Sequence, residues 1–177
     1  MLIEKNLPDW IRIKECKKVI THDLEGEENG YLVDIINRHD DIFRGREEEP
    51  FQQVYYTSVY RGMFKGFHIH PQKFDTVSSM YGRSLLVLYP ELPAQRAQNF
   101  NMDLDKLLVI PLDADEGILT VSFPSKYPHG YFGVSDLSLI LNYRNPAWHP
   151  GDKLQYDYKH DGVTKYLTDW VQAHEKG

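Results

Sequence analysis

A chain of 177 residues is long enough to bury a core as one domain, and its single Cys16 excludes an internal disulfide. A formal charge of -6 and a pI near 5.7 exclude the basic patch of a nucleic-acid surface, and no apolar run approaches the ~20 residues of a membrane helix. These limits predict one domain over residues 1–177, in a reduced, cytoplasmic setting, whose partner is a small molecule rather than nucleic acid or a membrane. Residues 10–13 and 18–20 alternate as edge strands do. Residues 22–30 are acidic and glycine-punctuated, hence a loop, and 31–36 read as a strand carrying Asp34, a candidate substrate contact. Residues 44–50 read as a charged turn.

From residue 51 the sequence becomes β-branched and aromatic. Residues 51–60 read as a strand, and 61–82 as a hairpin turning at Pro71-Gln72. Alternation in that hairpin puts His68 and His70 on one face, with Lys73 and Asp75 rejoining it on the return. The apolar run 84–89 reads as core, and 107–112 and 117–124 as two further strands. Residues 128–132 read as a turn into a strand over 137–143. Strands about every ten residues, without helices between them, predict an antiparallel all-β sandwich or barrel. Tyr166, Leu167, Trp170 and Val171 fall at helical spacing, predicting an amphipathic helix over about 163–174 docked outside a sheet.

Two imidazoles, an amine and a carboxylate among Phe64, Phe67 and Phe74 are costly to desolvate unless they pair, bind metal or react. Two chemistries follow. Gly62, His68-x-His70, Asp75 and Gly82 resemble the first cupin motif with Asp in place of Glu, and Pro124 and His129 keep part of the second, with Lys126 in place of Gly. His68, His70, Asp75 and His129 suit a divalent transition metal, and so a metal-dependent sugar isomerase or oxygenase. Lys73 would compete with that cation.

The other chemistry is metal-free proton transfer. Phe51-Gln52-Gln53, Arg61-Gly62-Met63-Phe64-Lys65-Gly66-Phe67-His68, Gln72-Lys73-Phe74 and Phe123-Pro124 to His129-Gly130-Tyr131 resemble the dTDP-4-dehydrorhamnose 3,5-epimerase family, over about residues 20–155. The resemblance implies a cupin jelly roll (a double-stranded β-helix), a homodimer with strands of 1–50 swapped, and epimerisation of a nucleotide-linked 4-keto deoxysugar without a cofactor, in deoxysugar or surface polysaccharide biosynthesis. His68 then matches the base, Lys73 the cation on the enolate oxygen and His129 a substrate contact. A ketone acidifies the neighbouring C–H, an imidazole takes that proton and a fixed positive charge holds the oxyanion.

Some positions differ from the family. Lys65 and Asn29 stand where it has phosphate-gripping arginines, and His70 where it has Gln. Counted without gaps from His129-Gly130 to Pro150, the family's reprotonating Tyr falls on Asn142. Tyr143, one residue on, is the candidate acid through a local bulge. Asp75 is the candidate for orienting His68. Gln53, Lys65, His70, Asn142 and Asp34 join His129 as candidate substrate contacts. A sugar-binding cupin without catalysis is the third reading.

Overall fold

The computed structural model describes residues 7–45, 51–70, 74–92, 102–147 and 162–174, together with the backbone of Tyr156 and Asp157. In chain order these form β1 (Arg12–Glu15), β2 (Lys18–His22), β3 (Glu28–Val33), β4 (Gln53–Tyr60), β5 (Phe64–Ile69), β6 (Phe74–Tyr81), β7 (Arg83–Leu88), β8 (Leu108–Asp113), β9 (Leu119–Pro124), β10 (His129–Gly133), β11 (Leu137–Asn145), β12 (Tyr156–Asp157) and α1 (Val163–His174). Two five-stranded antiparallel sheets result. The first has the order β1-β9-β6-β11-β4 and the second β12-β5-β10-β7-β8, while among the described residues β2 and β3 pair only with each other.

The apolar run 84–89 shows why both faces of the second sheet are covered. Leu86 and Leu88 point inward, where they join Val77, Ile110, Leu112, Val121, Phe123 and Ile140, all fully buried between the sheets. Leu85 and Val87 point outward with Phe67, Val109 and Phe132, and Val163 and Leu167 of α1 cover them. The expected C-terminal helix therefore docks on the outer face of the second sheet. Among the described residues no helix is long and apolar enough to cross a membrane.

Three sequence expectations are corrected. Residues 61–82 are not a hairpin: β5 belongs to the second sheet and β6 to the first, and the two do not pair. Beyond β5 the His70 N–H donates to the Ser125 carbonyl at 2.7 Å, and the chain then crosses to the facing sheet. Alternation along each strand is right, but the partner strands lie elsewhere, as a jelly roll requires. Of residues 128–132, expected as a turn, all but Pro128 lie in the strand β10, which is paired on both sides. Residues 22–30, expected as a loop, include the end of β2 and the start of β3. At the crossing from β6 to β7, Gly82 takes φ +66, a left-handed conformation open to glycine at little cost.

β5 and β10 approach more closely than side chains allow. A Cβ on Gly66 would lie 2.7 Å from the Gly130 Cα, and one on Gly130 would lie 2.8 Å from the Lys65 carbonyl oxygen. This glycine contact sits beside the paired residues His68 and His129.

Candidate functional site

Cross-strand pairing assembles the site in two halves. In the second sheet His129 on β10 lies opposite His68 on β5. In the first sheet Arg144 on β11 lies opposite Asp75 on β6, and Asn142 lies opposite Tyr55 on β4. Between the sheets is a cavity of about 350 Å³ lined by these six residues with Gln53, Thr57, Lys65, His70 and Tyr131.

A buried charged network closes its floor. Arg144 Nε donates to Asp75 Oδ1 at 3.0 Å, and an Arg144 terminal nitrogen lies 3.2 Å from His70 Nε2. Asp75 Oδ2 lies 3.3 Å from His129 Nε2, a contact that ties the two sheets together. His129 Nδ1 lies 2.9 Å from the Tyr127 carbonyl. Both ring nitrogens of His129 thus face oxygen acceptors. Burial pushes the Asp75 carboxyl up, but the hydrogen bond and charge of His129 and the charge of Arg144 outweigh it, holding Asp75 well below the usual carboxylate range. Burial pushes His70 down to about 3, against the pull of Asp75 and with help from His129 and Arg144, so its neutral Nε2 accepts from the guanidinium.

Protonating His70 therefore favours the unfolded chain. Its folded value of about 3 lies below the unfolded ~6.5, so stability is greatest above about pH 6.5 and falls as the pH drops toward 3. His70→Gln keeps an acceptor for Arg144 and removes the titration. Urea denaturation at pH 7 and pH 5 is expected to show a smaller acid loss in the variant, by of order 1 kcal/mol; equal losses would refute the assignment.

Two phenols and an amide line the upper walls. Tyr131 Oη donates to Asn142 Oδ1 at 2.9 Å, and Asn142 Nδ2 donates to the Ile140 carbonyl at 2.9 Å. Burial, then the charge of Asp75, push Tyr131 well above its ordinary value. Burial and Asp75 also push Tyr55 up to about 12, opposed by the charge and hydrogen bond of Arg144. Lys65 Nζ donates to Thr57 Oγ1 at 2.7 Å. Within the lining, Arg144 and Lys65 supply fixed positive charges against the single carboxylate of Asp75.

The structure brings His68, His70, Asp75, His129, Lys65, Gln53 and Asn142 to one cavity. Lys73 lies outside the described residues. Asp75 does not hold His68 as expected: it arrives from the facing sheet and engages His129 and Arg144 instead. Tyr143 is outside the cavity because no bulge displaces it from the alternation that points Asn142 and Arg144 inward. Its ring packs on Phe51, with centroids 5.6 Å apart. Asp34 is also outside, its side chain 61% exposed near Lys14. Sequence reasoning missed Tyr55, Thr57, Tyr131 and Arg144, although the two-residue period through Gln53, Asn142 and His129 marks all four.

The donor set fits a metal poorly. Donor atoms of His70, Asp75 and His129 lie within 4.8 Å of one another, without His68 among them. Arg144 already contacts two of the three, so a second cation would meet a fixed positive charge.

No family model matches the sequence. The chain is 24% identical over 171 residues to the proto-oncogene tyrosine-protein kinase ROS of Rattus norvegicus, a match that covers 96% of this chain and only 6% of that protein. Among solved structures it is similar to dTDP-4-dehydrorhamnose 3,5-epimerase from Sulfolobus tokodaii (15% identity, 92% of this chain and 82% of that one, TM-score 0.64). It is also similar to a dTDP sugar isomerase from Desulfovibrio desulfuricans G20 (14% identity, 88% of each chain, TM-score 0.63). A third likeness is to dTDP-6-deoxy-D-glucose-3,5-epimerase from Legionella pneumophila Philadelphia 1, solved with dTDP-4-keto-L-rhamnose (14% identity, 90% and 78% covered, TM-score 0.63). At these identities the likeness speaks for architecture alone: the chain has the cupin jelly-roll fold of the dTDP-4-dehydrorhamnose 3,5-epimerases.

Proposed function

We propose that the protein is a metal-free epimerase or related keto-enol isomerase of a nucleotide-linked 4-keto deoxysugar. The observation that carries this reading is an imidazole, His68, on one wall of a cavity whose facing wall holds a guanidinium, Arg144. His68 removes the proton next to the ketone, and the cationic lining, with Lys73 as the expected partner, steadies the enolate oxygen. His70, kept neutral, and Asp75 hold Arg144 in place. Lys65 contacts phosphate as a point charge. The Legionella structure, with a keto sugar nucleotide bound on the same architecture, supports the choice of substrate class. Deoxysugar or surface polysaccharide biosynthesis in the cytoplasm, by a homodimer formed through β1 to β3, is part of the same reading.

The test uses dTDP-4-keto-L-rhamnose in deuterated water, with untagged protein before and after chelator treatment. Deuterium is expected at a carbon next to the ketone, at a rate chelation leaves unchanged. Exchange lost on chelation, with about one equivalent of transition metal per chain, would establish the metal-dependent alternative. No exchange at all would favour a sugar-binding cupin.

A further inference from the structure

For a carbon centre to invert, an enolate formed by loss of a proton from one face must gain a proton on the other. His68 stands on β5, in the second sheet, so the donor belongs on the facing wall, built from β4, β6 and β11. On that wall Asn142 carries an amide, whose oxygen accepts from Tyr131 and whose nitrogen donates to the Ile140 carbonyl. Tyr131 is a phenol rising from β10, the strand next to His68, and its hydroxyl proton is already given to Asn142 Oδ1 at 2.9 Å. Among the described residues that line the cavity, the phenol of the facing wall is Tyr55. It lies directly opposite Asn142 across the β4–β11 pairing, where paired Cβ atoms are about 5 Å apart, and it lines the cavity. The Arg144 guanidinium carbon sits 5.4 Å from its ring centre.

We infer that Tyr55 is the proton donor that completes inversion, with Arg144 holding the negative charge left on its oxygen. This assignment rests on the epimerase reading above. In the forward step a ring nitrogen of His68 takes the proton, and the C–H electron pair becomes the enolate double bond as the ketone oxygen gains the charge. In the return step the same carbon takes the proton of the Tyr55 hydroxyl from the opposite face. The O–H bond breaks, the ketone reforms and a phenolate remains beside Arg144. Solvent then returns a proton to Tyr55 and removes one from His68, so the cycle is redox neutral. Arg144 is already fixed by Asp75 and His70, so it does not have to reorganise when the phenolate forms.

The experiment follows dTDP-4-keto-L-rhamnose in deuterated water and reads two quantities for each protein: deuterium entering next to the ketone, and net inversion. The wild type is expected to do both. Tyr55→Phe keeps the ring and is expected to retain exchange within a few-fold, because His68 can return a deuteron to the face it deprotonated, while inversion falls by about 10²-fold or more. Retained exchange also reports that the variant is folded. Tyr131→Phe, at another cavity-lining phenol, is expected to leave exchange and inversion coupled, any change in one matched by the other. Undiminished inversion in Tyr55→Phe overturns the assignment, as does the exchange-without-inversion pattern appearing in Tyr131→Phe instead. Loss of both quantities together in a folded Tyr55→Phe also overturns it, leaving the epimerase reading standing. Absence of exchange in the wild type overturns that reading and this assignment with it.

Discussion

His68→Ala is expected to lower the rate of solvent deuterium entry next to the ketone of dTDP-4-keto-L-rhamnose by about 10²–10⁴-fold, the usual worth of a positioned general base. The side chain stands at a cavity wall, while its neighbours Phe67 and Ile69 face the opposite way into the core under α1. Truncation should therefore leave the fold in place, with a thermal midpoint within a few degrees of wild type. Proton NMR of the sugar and a thermal melt check the two halves of the expectation. Exchange within tenfold of wild type would mean that another group is the base.

Arg144→Met is expected to cost about 3–5 kcal/mol of stability at pH 7, because it removes the guanidinium that faces the buried Asp75 carboxylate and leaves the His129 contact. The double variant Asp75→Asn with Arg144→Met removes both charges and should recover a large part of that loss. Urea denaturation of the two variants measures the difference, and a single-variant loss under about 1 kcal/mol would contradict the coupling. Acid sensitivity follows from the same pair. The folded pKa of Asp75 lies below its unfolded value, so the stability it contributes is fully present above about pH 4 and is lost as the pH falls toward the folded value. In Arg144→Met this loss below pH 4 should shrink, and the His70-linked decline from pH 6.5 toward 3 should shrink slightly too, because the Arg144 charge that helps hold His70 down is gone.

Periodicity carried the reading of the sequence a long way. Strand alternation placed His68 and His70 on one face, continuous apolar residues marked β7 as covered on both sides, and helical spacing located α1 within its observed ends. What it could not carry was pairing. A hairpin and a sheet crossing have the same local pattern, so nothing within residues 61–82 says that β5 and β6 stand on opposite walls. The error passed directly to Asp75, assigned to the His68 wall although it faces His129 from across the cavity. Arg144 was missed for a related reason. Its importance comes from its neighbour Asp75, 69 residues away along the chain and directly opposite across the pairing of β6 and β11. Tyr143 shows the reverse case, where strict alternation, applied without a bulge, would have removed it from the site.

The crossing between β5 and β6 also bears on how such a site changes over generations. The polar residues of the cavity are divided between two sheets, with His68 and His129 on one and Tyr55, Asp75, Asn142 and Arg144 on the other. Mutations that reshape the β4 and β11 surface leave the strand bearing the imidazole untouched. Under the proposed function, substitutions at Tyr55 and Asn142 would change the stereochemical outcome while the imidazole that loosens the C–H bond stays in place.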